Sequence, residues 1–157
     1  MVKKTLALIA FLFLCFFTAW TGAQVSPGIA STEWYDLLNK PDWNPPGWLF
    51  GPVWTLLYTA MAVAAWRVWL KVGFSDGKLE LSAYFIQLFL NGLWSQLFFS
   101  MQNPGLAFAE IILLMAAIIY TSVLFFRVDK IAGWLMVPYI LWVAFATVLN
   151  GTIWMIN

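Results

Sequence analysis

The sequence contains no histidine and a single cysteine, Cys15. The first absence removes the commonest general base, the commonest metal ligand and the usual axial ligand of haem iron. The second excludes an intrachain disulfide and any cysteine cluster for a metal. Charge is scarce as well: 10% of residues are charged and the net charge is +1, against about 25% charged residues in soluble domains. No basic field for nucleic acid exists. There is no nucleophile–base set, no phosphate-binding loop and no HExxH motif, so hydrolase and NTPase chemistry has no support. No repeat and no low-complexity tail is present.

What fills the 157 residues is apolar: 63% are hydrophobic and eleven are tryptophan. A chain of one-domain length cannot hide that much apolar surface from water. The composition predicts an integral membrane protein. Five apolar stretches, residues 5–24, 48–70, 79–101, 105–126 and 131–156, each reach the roughly 20 residues that cross a bilayer. Without water each must satisfy its own backbone, which makes helix the only open-chain option. The expected fold is therefore an all-α membrane protein, a single five-transmembrane-helix bundle. Residues 25–47 form a long polar loop rich in proline and tryptophan. The other connections are short, and Pro104 is suited to start a helix.

Seven basic residues, Lys3, Lys4, Arg67, Lys71, Lys78, Arg127 and Lys130, fall on the N-terminal side of this topology, and only Lys40 falls on the other. The positive-inside rule then puts the N-terminus in the cytoplasm and the C-terminus outside, for a bacterial cell membrane. The first span has two readings. Lys3-Lys4, an apolar run and Thr21-Gly22-Ala23 resemble a secretory signal peptide; the alternative is a retained helix.

Trp20, Trp48, Trp66, Trp69, Trp134 and Trp154 fall near span ends, where belt anchoring accounts for them. Trp34 and Trp43 lie in the loop. Trp54, Trp94 and Trp142 remain, inside spans 2, 3 and 5. At about 1.5 Å per residue, Trp54 and Trp94 lie roughly 10 Å below the outer ends and Trp142 roughly 18 Å. Helical spacing puts Trp54 with Tyr58, aligns Gln87, Asn91 and Ser95 with Trp94 nearby, and aligns Trp142, Ala146 and Asn150. Polar groups in hydrocarbon need partners, so these faces point inward. They make either an aromatic-walled pocket for a flat apolar ligand or ordinary helix packing with hydrogen-bond glue. Glu110, about two turns into span 4, is either a proton or ligand site or a side chain snorkelling to the interface, with snorkelling preferred. Gly47-x-x-x-Gly51 and Ala60-x-x-x-Ala64 fit small-residue packing, although Gly47 also reads as a loop residue beside Pro45-Pro46.

The run Trp34-Tyr35-Asp36-Leu37-Leu38-Asn39-Lys40-Pro41-Asp42-Trp43-Asn44-Pro45-Pro46-Gly47-Trp48, followed by Pro52-Val53-Trp54-Thr55-Leu56-Leu57-Tyr58, resembles the signature of the translocator protein family, also called tryptophan-rich sensory proteins or peripheral benzodiazepine receptors. Gln87-Leu88-Phe89-Leu90-Asn91-Gly92-Leu93-Trp94 and Val137-Pro138-Tyr139-Ile140-Leu141-Trp142 extend it nearly end to end. The resemblance implies a five-helix bundle with its first helix retained and a homodimer in the bilayer. It implies binding of porphyrins and other flat apolar drugs in a pocket under the first loop. By motif match the ligand-binding residues are Tyr35, Pro45, Trp54, Tyr58, Asn91, Trp94, Trp142 and Ala146, with Asn91 and Tyr35 offering hydrogen bonds. No cofactor is required; a tetrapyrrole such as protoporphyrin IX is the ligand, and no metal site is expected. If the light- and oxygen-dependent porphyrin breakdown of some members occurs, Trp54 and Trp142 are the catalytic candidates. Porphyrin or lipid transport is the third expectation. The animal cholesterol motif is not matched, because Gly151 follows Asn150 and Met155 stands near the expected arginine.

Overall fold

The computed structural model describes residues 2–26 and 33–157. The described residues are helical throughout their regular parts: α1 (Val2–Ala23), α2 (Glu33–Leu37), α3 (Gly47–Asp76), α4 (Lys78–Ser95), a π-helical turn (Gln96–Ser100), α5 (Pro104–Val128) and α6 (Lys130–Ile156). Four of them, α1, α3, α5 and α6, are long and apolar enough to cross a membrane. The expected third span, residues 79–101, is the less apolar α4 carried on by the π-helical turn. Lys78, Glu80 and the Gln87–Asn91–Ser95 row dilute its hydropathy. Of the expected 25–47 loop, residues 27–32 lie outside the described residues.

The helix ends follow from local chemistry. The Asn103 side chain accepts from the Leu106 amide, with Pro104 opening α5, where its missing N–H costs nothing. Asp129 caps α6 in the same way by accepting from the Ala132 amide. α3 runs six residues past its expected end at 70. It breaks at Gly73, whose φ of 65° and ψ of −168° only glycine adopts readily. The turn into α4 needs glycine too. A Cβ on Gly77 would stand 2.5 Å from Val72 Cγ2 and 2.8 Å from the Gly73 carbonyl.

α5 lies along α6 and α4, α3 packs on α1 and α6, and α1 covers α3 and α4. Small residues let these helices approach: Ala62, Ala64 and Ala65 of α3 and Ala132 of α6 are fully buried. Neither Gly47 nor Gly51 has anything within 4 Å of a Cβ position, so that pair packs no helix; Gly47 opens α3 after Pro46. Large apolar side chains such as Phe13, Phe17, Phe89 and Leu141 face outward, as helices with lipid for solvent do. Lipid supplies no hydrophobic force between helices, so close packing and buried polar bonds hold the bundle.

The two ends differ. At the basic end Asp129 is 3% exposed, and its carboxylate meets Arg67 Nη2 at 2.9 Å and Lys71 Nζ at 3.0 Å. Burial opposes ionisation of Asp129, but bonds from Arg67, the Ala132 amide and Lys71 outweigh it and hold the carboxyl below the usual range. Lys71 also donates to the Val128 carbonyl, and Trp66 Nε1 donates to the Lys4 carbonyl. At the opposite end, the loop is tied to the end of α6. The Asn39 amide donates to Asn157 Oδ1 at 2.9 Å, and Asn157 Nδ2 donates back to the Asn39 carbonyl at 3.0 Å.

Candidate functional site

Beneath that loop, three groups of rings and amides gather. The first joins α3, α4 and α6. Trp54 and Tyr58 sit one turn apart with ring centroids at 5.3 Å, and Trp54 meets Tyr139 edge-on at 6.3 Å. The Tyr58 hydroxyl donates to Asn91 Oδ1, and Asn91 Nδ2 donates to the Tyr139 hydroxyl at 2.9 Å. Tyr58, Asn91 and Tyr139 are all buried. Each bond satisfies a group that would otherwise be stranded in an apolar interior. Both ends of the Asn91 amide are thereby engaged inside the protein, so the predicted hydrogen-bonding residue serves first to lock three helices together.

The second group joins α4, the π-helical turn, α6 and the loop. Trp94 stacks on Phe98 at 5.1 Å, and Tyr35 and Trp34 meet Phe98 edge-on at 6.3 and 5.8 Å. Trp94 Nε1 donates to Asn150 Oδ1 at 3.0 Å, while Asn150 Nδ2 donates to the Pro104 carbonyl at 2.8 Å. The Tyr35 hydroxyl reaches Asn44 Oδ1 at 3.5 Å, and Lys40 Nζ stands 4.6 Å over its ring. Burial pushes the Tyr35 hydroxyl above its ordinary pKa; the Asn44 contact lowers it in part and Asp36 adds to the rise. Tyr35 is therefore a neutral donor at physiological pH.

The third group is built on α6. Trp142 meets Phe50 at 5.8 Å and Phe145 at 5.6 Å, and Phe145 in turn meets Trp43 of the loop at 5.9 Å. Ala146, half-buried one turn above Trp142, packs against the main core. Pro45 is half-buried at the foot of the loop, its carbonyl accepting from Asn44 Nδ2 at 3.3 Å.

All eight predicted residues thus lie at or below the loop, but they are not one continuous surface. Tyr58 touches both Trp54 and Asn91. Tyr35 and Trp94 meet through Phe98. Trp142 lies against Phe50 and Phe145. Tyr139, Phe98, Phe145 and Asn150 complete the arrangement and were not in the predicted set. Helical spacing from a tryptophan points to three of them: Tyr139 is three residues before Trp142, Phe145 three after it, and Phe98 four after Trp94. An open apolar groove of about 150 Å³ lined by Leu79, Ser82, Ala83, Ile86, Ala117 and Tyr120 lies toward the basic end and involves none of the eight.

Two buried polar residues depart from expectation. Glu110 does not snorkel. It is 7% exposed, and neither carboxyl oxygen has a hydrogen-bond partner. The reason is its position on α5: it shares a face with the buried Ala107, Ile111 and Leu114, and that face is turned into the bundle. Gln87 points inward as expected for its row, yet both ends of its amide are unpaired.

Comparison with known proteins gives this arrangement its family. The TspO/MBR family matches residues 8–155. The tryptophan-rich protein TspO of Chlorobaculum tepidum is 42% identical over 159 aligned positions, which cover 100% of this chain and 99% of the relative. The tryptophan-rich sensory protein of Cereibacter sphaeroides is 42% identical over 142 positions, 90% of this chain and 85% of the relative. The human translocator protein is 39% identical over 127 positions, 80% and 75% of the two chains. With its membrane-length helices and its match to the family across nearly the whole sequence, the chain is an integral membrane protein that belongs to the TspO/MBR family.

Proposed function

We propose that the protein is a membrane receptor that binds a tetrapyrrole, of the protoporphyrin IX type, among the rings beneath the loop. The observation that carries this reading is that Trp54, Trp94 and Trp142, from three helices, each anchor a group of rings beneath the loop, and Tyr35 and Trp43 of the loop join two of those groups. Flat apolar ligands are held by such faces through burial and stacking. Pairing of the nearby amides within the protein favours a ligand whose affinity comes from apolar contact. The chain offers no histidine for haem iron, which favours a metal-free macrocycle.

In this reading α4 and the π-helical turn cross the bilayer as a fifth span, about 34 Å long together. The seven basic residues at one end face the cytoplasm, and the loop and C-terminus face outward. The family resemblance extends the reading to a homodimer. Sidedness is tested with D42C and K130C and a membrane-impermeant maleimide, the buried Cys15 being silent. D42C is expected to react in intact cells and K130C only after permeabilisation; the reverse pattern contradicts the orientation. Binding itself is tested by titrating purified protein with protoporphyrin IX and following tryptophan fluorescence. Saturable quenching is expected; a linear, non-saturating loss contradicts the receptor reading.

A further inference from the structure

Most polar side chains buried in this bundle have a partner in the protein. Asn91 bonds Tyr58 and Tyr139; Asn150 bonds Trp94 and Pro104; Asp129 bonds Arg67, Lys71 and Ala132. Thr121 and Ser122 donate to carbonyls one turn back on their own helix. Among the described residues Glu110 is a carboxyl with both oxygens buried and unpaired; at the basic end Glu80 leaves only its Oε2 so. A carboxyl left so in a membrane helix lowers stability and holds nothing together.

Its height in the bundle is fixed by the α5–α6 seam. A Cβ on Gly105 would meet Trp154, and a Cβ on Gly151 would meet Phe108, so each step along α5 matches a step back along α6. Glu110 is therefore level with Leu149 and Asn150. That is the layer where Asn150 takes the Trp94 indole N–H. Glu110 so lies at the height of the Trp94–Asn150 pair of the candidate site. Gln87 is also unpaired, but stands about 10 Å nearer the basic end than Trp94.

We infer that Glu110 is a further ligand-binding residue, whose carboxyl oxygens accept a hydrogen bond from an N–H or O–H donor on the bound molecule. This rests on the receptor reading above and adds to it a polar requirement. The aromatic walls select a flat apolar body, and Glu110 selects a body that carries a donor. In a metal-free porphyrin two groups have that chemistry, the inner pyrrole N–H and a protonated propionic acid side chain.

The experiment compares wild type, Glu110→Gln and Glu110→Leu in thermal unfolding without ligand and in porphyrin titration. Removing an unpaired buried carboxyl is expected to raise the unfolding temperature of Glu110→Leu. The same variant is expected to bind protoporphyrin IX about tenfold or more weakly, with Glu110→Gln between it and wild type. Protoporphyrin dimethyl ester lacks the acid and zinc protoporphyrin lacks the inner N–H. The analogue that loses its dependence on Glu110 identifies the donor. Unchanged affinity in a well-folded Glu110→Leu overturns the inference while the receptor reading stands. So does an equal dependence on Glu110 for both analogues. Loss of stability in ligand-free Glu110→Leu assigns the carboxyl a structural role and overturns it too. Absence of saturable binding by wild type overturns both readings together.

Discussion

The two ends of the bundle hold their polar groups by different physics. At the basic end one carboxylate, Asp129, gathers an arginine, a lysine and a helix N-terminus. Each bond there serves the frame: α3 is tied to the α5–α6 turn, and α6 is capped. At the loop end the same needs are met mainly by neutral amides, hydroxyls and rings, with Lys40 standing over Tyr35, and the contacts are spread over the loop and three helices. A charge cluster of that strength beside the rings would disfavour an apolar ligand. Neutral pairs orient the rings without adding a field. In the proposed reading the basic end is architecture and the loop end is recognition, and Glu110, with neither carboxyl oxygen paired, is the residue set aside for a ligand.

Asp129→Ala is expected to be the most damaging of these tests. It removes the α6 cap and the shared partner of two part-exposed cations, for a loss of about 1–2 kcal/mol, read as a lower unfolding temperature in detergent. The pH dependence follows the same carboxylate. Its pKa is depressed in the folded state, so its contribution is complete above the unfolded value of about 3.9 and is lost as pH falls below that towards the folded value. Asp129→Asn should therefore unfold with a flatter acid profile than wild type; an identical profile would show that the carboxylate does not carry the frame.

Tyr58→Phe should cost less, about 1 kcal/mol, because it frees one acceptor on Asn91 while the Trp54 stack persists. Thermal unfolding reads the loss, and a variant as stable as wild type would deny the amide its role as a lock. The smallest effect belongs to the loop tie. Asn157→Ala removes the acceptor of the Asn39 amide, so that N–H should exchange faster with solvent, with global stability changed by less than about 1 kcal/mol. Unchanged exchange would mean that α6 does not hold the loop.

The apolar runs made the long helices legible, because membrane length is a direct physical requirement on sequence. Pro104 also announced the start of its helix. The far end of α3 was not legible. Arg67 and Lys71 read as the edge of a span, yet both pair across the bundle with Asp129, and the helix continues past them to its break at Gly73. The π-helical turn at Gln96–Ser100 has no sequence signal of its own, although it brings Phe98 beneath Tyr35. Within the site, helical spacing placed Trp54 against Tyr58 correctly. It could not tell that Asn91 would be consumed by Tyr58 and Tyr139, since those partners are far away in sequence. Glu110 was read against its surroundings because snorkelling depends on which face of α5 meets lipid. That is set by packing against α6, through residues such as Gly105 and Gly151, and not by the local run.

The claim that recognition resides at the loop end is tested most directly by comparing two tryptophan pairs. Trp54→Ala/Trp142→Ala empties the loop end, and Trp66→Ala/Trp69→Ala removes as much ring surface near the basic end. Binding of protoporphyrin IX is followed through the porphyrin's own absorbance, so loss of indoles does not affect the readout. The account predicts that affinity falls at least about tenfold in the first pair and stays near wild type in the second. Equal affinity in the two pairs would contradict it.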